Sequence, residues 1–224
     1  MGTKVDFNQA ELFISPRSPF ARRVRLAFLE NQISYKEIIC DVFQPSAELV
    51  AANPLGRVPT LRLASGEVVV DSNLILQAFY ESFPLTPFAS PFASPFASLM
   101  PSALVDRIPV YRWQAIAAGF AEKIVEYFLD TLRPQAQQDP EVLEELKTIS
   151  ARVLGEVETT LIANPGHGFL LGNSMTQADV DLACALTYFG LRYSQEWKKN
   201  YPRTLLYLAK LEQRPSFVQT CPPA

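Results

Sequence analysis

The sequence predicts an α+β protein of two domains, in which an α/β domain is followed by an all-helical domain. Three observations support this fold class. Short apolar segments separated by turn signals fill residues 1–84, a pattern typical of alternating strands and short helices. Over residues 102–224 no strand pattern remains, and long helical patterns take over. The segment 85–101 between them is rich in proline and is predicted to be a linker.

The first domain is predicted to contain four strands and three helices. Ser18 followed by Pro19 is typical of an N-cap and a first helical residue, so a helix is expected to begin there. Ser65 and Gly66 lie between two apolar runs and indicate a hairpin turn. The predicted elements are a strand at 11–14, a helix at 18–30, a strand at 34–42, a short helix at 46–53, hairpin strands at 60–63 and 67–70, and a helix at 72–82. Their order, β-α-β-α-β-β-α, indicates a mixed sheet.

The second domain is predicted to contain four long helices, at 103–133, 140–163, 176–197 and 202–213. Asp139 and Pro140 form a cap followed by proline at the first helical position. Thr176 can cap the N–H of Asp179 while the Asp179 carboxylate reaches back, which is the pattern of a capping box.

The linker contains the tetrapeptide Pro-Phe-Ala-Ser three times in succession, over residues 87–98. Proline at every fourth position disfavours both helix and sheet, and a period of four is too short for a solenoid repeat. We interpret the segment as a linker expanded by repeat duplication. A polyproline recognition segment is the alternative interpretation.

Composition excludes several classes of function. Hydrophobic residues make up 48% of the 224 residues and the net charge is −3, so a core is expected and nucleic-acid binding is not. No apolar run reaches the roughly 18 residues of a membrane helix, so no membrane association is expected. Cys40, Cys184 and Cys221 form no CxxC motif, and the first residues lack a signal-peptide core, which favours a cytoplasmic protein. Because His167 is the only histidine, His-based metal clusters and most Ser-His triads are excluded, and no metal is expected.

Pro59 stands at the start of a predicted strand, where it has no N–H for a sheet ladder. An X–Pro bond is held cis at a cost of only about 0.5–1 kcal/mol, so Pro59 is a natural site for a sharp bend. Such a bend would leave the N–H and C=O of Val58 unpaired, as a two-point edge for an extended peptide. An ordinary trans proline in a loop is the alternative.

Two helix starts are candidate anion sites. Free N–H groups at the helix that follows Asp71 and Ser72 favour a carboxylate, and the Asp71 carboxylate could hold an ammonium group. A ligand with an amino-acid-like end would satisfy both. The hydroxyl of Ser18, at the start of the first helix, could donate a hydrogen bond to a thiolate. Plain N-capping is the alternative for both serines.

The chain resembles the glutathione S-transferase superfamily over nearly its whole length. The first-helix segment SPFARRVRLAF is similar to the serine-type, tau- and zeta-like members, or to a related bacterial class. The segments NPLGRVPTL and DSNLIL, and the capping box of Thr176 and Asp179, are similar to three further motifs in the family's order. The resemblance implies a thioredoxin-like first domain, an all-helical second domain and glutathione as co-substrate.

The resemblance also implies residue roles. Ser18 would activate the glutathione thiol as the thiolate, and Ser15 is the rival for that role. The residues implied to bind glutathione are Gln44, Arg57, Val58, cis-Pro59, Asp71 and Ser72. Gln44 and Arg57 fall where tau-like members use lysines near the glycyl end, so Gln44 lacks the expected charge.

A second, electrophilic and partly apolar substrate would lie against Phe20, Tyr111, Ala115 and Ala118, although plain core packing is the alternative for such helix-spaced residues. A detoxifying homodimer is implied by the family. Peroxidase or dehalogenase activity fits the same residues. A non-catalytic binding or regulatory protein of the same fold, similar to the stringent starvation protein, is the alternative from another class. The arginines at 22, 23 and 25 are expected at the helix surface and at an interface, and not in a nucleic-acid patch.

Overall fold

The computed structural model describes residues 5–82 and 99–223, and these form two compact units. The first unit contains the described residues up to Leu104 together with Gln219–Pro223 near the C-terminus. The second contains Val105–Val218. The Pro-Phe-Ala-Ser repeats lie outside the described residues, so their interpretation as a linker stays a prediction.

The first unit has the predicted element order. Its elements are β1 (Ala10–Ile14), α1 (Pro19–Glu30), β2 (Tyr35–Ile39), α2 (Ala47–Ala52), β3 (Thr60–Arg62), β4 (Val68–Val70) and α3 (Ser72–Ser82). The prediction that the second strand continues to residue 42 is wrong. After Cys40 the Asp41 carboxylate accepts the N–H of Phe43 at 2.8 Å, and this local turn competes with the strand.

The four strands form one mixed sheet in the order β2-β1-β3-β4. β1 and β2 are parallel, whereas β1 with β3 and β3 with β4 are antiparallel. Thr60 pairs with Phe13 on one side and with Val70 on the other, and Ile14 pairs with Ile39. The strands therefore bring four connections to one end of the sheet, which we call the loop end: residues 15–18, 40–46, 53–59 and 71–72.

Aromatic rings join the helices of the first unit to its sheet. The ring centroid of Phe28 of α1 lies 5.2 Å from that of Tyr35 in β2 and 5.0 Å from that of Phe79 in α3, and Phe7 packs edge-on against Phe28 and Phe79. A second cluster joins Phe13 of β1 to Leu49 of α2. These contacts fix the helices on the sheet by burying large apolar surfaces.

The second unit is helical throughout, as predicted. Its helices are α4 (Leu104–Thr131), α5 (Pro140–Ala163), α6 (Gln177–Arg192), α7 (Pro202–Glu212) and α8 (Pro215–Gln219), with short 3-10 helices at Gln135–Gln137 and Glu196–Lys199. α8 and the 3-10 helices were not predicted. Among the described residues, no helix combines the length and apolar character needed to cross a bilayer.

α6 ends five residues before its predicted end at residue 197. The Ser194 hydroxyl accepts the N–H of Glu196 at 3.0 Å, and the Gln195 side chain donates to the Gly190 carbonyl at 2.6 Å. Side-chain hydrogen bonds of this kind replace helical ones, so the helix stops and a short 3-10 turn follows.

The predicted capping box is present at the start of α6. The buried Asp179 carboxylate accepts the N–H of Thr176 at 2.8 Å, the N–H of Leu170 at 2.8 Å and the hydroxyl of Tyr207 at 2.9 Å. Burial raises the pKa of Asp179 in spite of these donors. One carboxylate thus ties a loop, α6 and α7 together.

The start of α7 is capped from a distance by Glu158 of α5. Its carboxylate accepts the N–H groups of Arg203 and Thr204 at 2.9 and 2.8 Å, and the Thr204 hydroxyl at 2.7 Å. Partial burial is the largest single influence and would raise the pKa of Glu158. The donors together outweigh it and lower that pKa.

We predict that Glu158→Gln lowers the free energy of unfolding by about 1–2 kcal/mol at neutral pH, because α7 loses a charged cap. A lowered pKa in the folded state stabilises the fold above the unfolded pKa of about 4.3, and this contribution is lost as pH falls through the folded pKa. The difference between wild type and variant should therefore shrink in urea titrations taken from about pH 7 to about pH 3.

Glu122→Gln is the matched control, because Glu122 is exposed on α4 and its side chain makes no hydrogen bond or ion pair among the described residues. That variant should unfold like the wild type at each pH. A constant difference between wild type and Glu158→Gln at all pH values would contradict the capping role.

Candidate functional site

The sheet brings the predicted site residues to the loop end. Ser18 follows β1, Val58 precedes β3, and Asp71 follows β4. Thr60 pairs with both Phe13 and Val70, so the end of β1, the start of β3 and the end of β4 lie side by side. The three connections attached to these strand ends are therefore neighbours. Ser18 and Asp71, which are 53 positions apart in sequence, therefore share one edge with Val58, as a binding site requires.

Ser18 is the N-cap of α1, as predicted. Its hydroxyl oxygen accepts the N–H of Ala21 at 3.2 Å, and its own N–H donates to the Ser15 carbonyl at 2.9 Å. A hydroxyl has one proton and two acceptor sites, so capping leaves the Ser18 proton available as a donor. Ser15, the rival, is half-buried between β1 and α1.

Two buried polar side chains hold the connection before β3. The Asn53 amide donates to the Arg57 carbonyl at 3.1 Å and to the Thr60 hydroxyl at 3.0 Å. The Thr60 hydroxyl in turn donates to the Arg57 carbonyl at 2.8 Å, and the Asn53 oxygen accepts the N–H of Leu55 at 3.0 Å. We call this hydrogen-bond network of Asn53 and Thr60 the bracket. It was not predicted from the sequence, where the only signal for it was an asparagine at the end of a helix just before a proline.

The bracket surrounds the Val58–Pro59 peptide bond, which is cis, as predicted. Pro59 is buried, whereas Val58 is half-buried and packs against the cluster of Phe13, Cys40 and Leu49. In the described part of the chain, neither main-chain polar group of Val58 takes part in a hydrogen bond. Both groups remain available to a ligand, as the peptide-edge hypothesis requires.

Asp71, rather than Ser72, caps α3. The Asp71 carboxylate accepts the N–H groups of Asn73 and Leu74 at 2.8 and 3.3 Å through a single oxygen. Asp71 adopts φ +73°, a left-handed conformation that is uncommon outside glycine but several-fold enriched in Asp and Asn. Plain capping by Ser72, the alternative interpretation from sequence, is therefore wrong, and the Ser72 hydroxyl is left for another role.

The arginines of α1 are buried, so the part of the prediction that places them at the exposed helix surface is wrong. Relative exposure is 2% for Arg22, 3% for Arg23 and 8% for Arg25. Burial is tolerated because each guanidinium has partners. Arg22 donates to the Thr220 hydroxyl at 3.4 Å, Arg25 pairs with Glu37 at 2.7 Å, and Arg23 reaches the start of α3.

The other predicted site residues are exposed or half-buried. Gln44 and Arg57 are exposed in loop-end connections, which leaves both side chains accessible. Phe20 is half-buried in the first unit. In the second unit Tyr111 and Ala115 are exposed and Ala118 is half-buried, so none of the three belongs to that unit's buried core. The second-substrate pocket stays a prediction.

Of the three cysteines, two are buried and Cys221 is exposed. Cys40 and Cys184 are buried, as predicted, and burial raises the pKa of the Cys40 thiol, which disfavours its thiolate. His167 is exposed in the loop between α5 and α6. Within residues 5–82 and 99–223, no three His, Cys, Asp or Glu side chains are grouped to hold a metal ion.

Comparison with known protein families gives two matches. A model of the glutathione S-transferase N-terminal domain matches residues 12–87, and a model of the C-terminal domain matches residues 140–210. The chain belongs to the glutathione S-transferase superfamily. The predicted thioredoxin-like first domain and helical second domain are confirmed by these matches and by the described fold.

Individual relatives match nearly the whole length of the chain. The GST-like protein YibF of Escherichia coli is 27% identical over 208 residues, covering 92% of this chain and 95% of YibF. A glutathione S-transferase from Methylobacillus flagellatus with glutathione bound superposes with a TM-score of 0.83 at 29% identity, covering 96% of this chain and 100% of the other. A glutathione transferase family member from Pseudomonas fluorescens Pf-5, with bound glutathione, superposes with a TM-score of 0.79 at 26% identity, covering 96% of this chain and 100% of the other.

We predict that Asn53→Ala lowers the free energy of unfolding by about 2 kcal/mol, because the Arg57 carbonyl and the Leu55 N–H each lose a partner. Thr60→Val should cost a similar amount, and the double variant less than the sum of the two, since the side chains share one network. Chemical denaturation followed by tryptophan fluorescence and far-UV circular dichroism measures these differences. Asn200→Ala is the control, because Asn200 is exposed and lies outside the network; additive costs at positions 53 and 60 would contradict the shared bracket.

Proposed function

We propose that the protein is a glutathione transferase in which the Ser18 hydroxyl stabilises the glutathione thiolate for attack on an electrophilic, partly apolar substrate. The observation that carries the proposal is that the Ser18 hydroxyl oxygen, at the loop end of the sheet, accepts the N–H of Ala21. Because the hydroxyl acts as an acceptor in this cap, its proton can be donated to a ligand. The bound glutathione in the two crystal structures of relatives supports glutathione as the ligand.

The start of α1 suits a thiolate for two reasons. The hydroxyl proton of Ser18 can donate a charge-assisted hydrogen bond to sulfur, and the N-terminal end of the helix favours negative charge. A free thiol has a pKa of about 8.5, and each unit by which a site lowers that pKa takes about 1.4 kcal/mol of differential stabilisation. Helix N-termini and neighbouring donors supply this kind of stabilisation in other thiolate sites.

The rest of the tripeptide has partners along the same edge. The free main-chain groups of Val58 can pair with the cysteinyl residue in the manner of an added strand. Asp71 uses one carboxylate oxygen for capping, so its other oxygen can accept from the γ-glutamyl ammonium group, and the Ser72 hydroxyl can donate to the γ-glutamyl carboxylate. Arg57 and Gln44 would lie toward the glycyl carboxylate.

The proposed reaction needs no metal and no covalent enzyme intermediate. The thiol proton passes to solvent, the thiolate sulfur forms a bond to an electrophilic carbon, and a leaving group such as chloride departs with its electron pair. Catalysis would come from the larger thiolate fraction and from holding both reactants together. The homodimer, the cytoplasmic location and the pocket formed by Phe20 and the α4 residues stay predictions.

We predict that Ser18→Ala still binds to immobilised glutathione but loses at least about tenfold in conjugation of glutathione to 1-chloro-2,4-dinitrobenzene, because each pKa unit lost lowers the thiolate fraction about tenfold. Titration of the thiolate ultraviolet absorbance of bound glutathione should show its pKa below about 8.5 in the wild type and near that value in the variant. Ser15→Ala should leave this pKa low.

Ser46→Ala is the matched control for loss of a helix cap. Ser46 caps α2 through the N–H of Leu49 at 3.2 Å, the distance found for the Ser18 cap. It should lose stability without changing the thiol pKa of bound glutathione. A normal pKa in Ser15→Ala with a low one in Ser18→Ala would move the role to Ser15, and failure of the wild type to bind glutathione would favour the non-catalytic alternative.

We predict that Gln44→Lys raises the affinity for glutathione by up to about fivefold, because it places a cation near the glycyl carboxylate in an exposed loop, where an ion pair contributes about 0–1 kcal/mol. The gain should disappear at about 1 M salt, which screens such pairs. Isothermal titration at low and high salt measures both effects. An equal gain in Gln138→Lys, at an exposed position of the second unit, would show general attraction instead of a glycyl contact.

A further inference from the structure

Arg23 links the first helix to the start of α3. One of its terminal nitrogens, Nη1, lies 3.1 Å from the Ser72 hydroxyl oxygen and 2.6 Å from the Asn73 side-chain oxygen. Both Arg23 and Ser72 are only 3% exposed, so this contact is sheltered from water. A buried side chain from α1 thus reaches a residue that the proposed function assigns to the γ-glutamyl carboxylate.

The chemistry of this pair fixes the direction of the hydrogen bond. A guanidinium group has five N–H donors and no acceptor, so the Ser72 oxygen has to accept from Arg23. The single hydroxyl proton of Ser72 then points to a different acceptor. Asp71 performs the capping of α3, and no hydrogen bond within the described residues uses this proton. A sheltered donor without a protein acceptor at a helix start suits an incoming carboxylate.

We propose that Arg23 is a positioning residue for glutathione: by donating to Ser72 it orients the Ser72 proton toward the γ-glutamyl carboxylate and selects for that carboxylate. This inference rests on the proposed function and deepens it. Without Arg23 the hydroxyl could rotate freely or donate to water. With Arg23 in place, the hydroxyl is prepared before the ligand arrives, which lowers the entropic cost of binding.

The experiment compares two ligands: glutathione, and glutathione whose γ-glutamyl α-carboxylate is converted to the amide. Isothermal titration should show that the wild type prefers glutathione by about ten- to a hundredfold, as expected for a hydrogen bond to a charged group. Arg23→Met and Ser72→Ala should each reduce the preference to a few-fold. The double variant should match Ser72→Ala, because Arg23 acts through Ser72.

Arg25→Met is the matched control. Arg25 is a second buried arginine of the same helix, but it pairs with Glu37 instead of α3. That variant should lose stability and keep the wild-type ligand preference. If Arg23→Met does not fold, Arg23→Gln replaces it: a glutamine amide has an oxygen that can accept the Ser72 proton, which a guanidinium cannot, so the preference should also fall.

The outcomes separate this inference from the proposed function. If the wild type binds glutathione and Arg23→Met or Arg23→Gln keeps the full preference for the carboxylate, the positioning role is wrong and the proposed function stands. Additive losses in the double variant would also overturn it. If the wild type does not bind glutathione, the proposed function itself fails.

Discussion

The pairing of Thr60 with both of its neighbouring strands is the constraint on which the candidate site depends. Its main chain aligns the end of β1 and the end of β4, while its side chain, together with Asn53, holds the connection that carries Val58. A shift of β3 by one residue would reverse the side-chain faces and separate these connections. The geometry of the site is thus a consequence of sheet register, and the loops only provide its surface.

Buried polar side chains play the same part in both units. In the first unit Arg23 links α1 to α3, and in the second Asp179 links a loop, α6 and α7. Such groups stabilise a fold only when their partners are in place, and removal of one partner leaves a costly buried group behind. They therefore favour one arrangement of the helices over alternatives that apolar packing alone would allow.

Sequence patterns predicted the order of all strands and long helices, because periodicity, caps and turns are local. They were wrong about the ends of β2 and α6, where local side-chain hydrogen bonds compete with the regular element, and about the arginines of α1, where a residue elsewhere in the chain decides. Arg22, Arg23 and Arg25 look like a solvated charge run, yet their partners lie 198, 49 and 12 positions away. The candidate site was predicted through family resemblance, since no local rule indicates which loops meet at one end of a sheet.

The starts of α1 and α3 are capped by different kinds of residue. At α1 the Ser18 hydroxyl caps the helix and keeps its proton, whereas at α3 the carboxylate of Asp71 takes over the capping. Asp71 caps α3 from a left-handed conformation, φ +73°, which costs backbone strain. A serine cap with ordinary extended backbone, such as Ser18, avoids that strain. For the proposed function, capping by Asp71 has a consequence: the Ser72 hydroxyl is not used for capping and has a carboxylate beside it, so that one turn of chain would offer a donor and an acceptor to a ligand group that carries both charges.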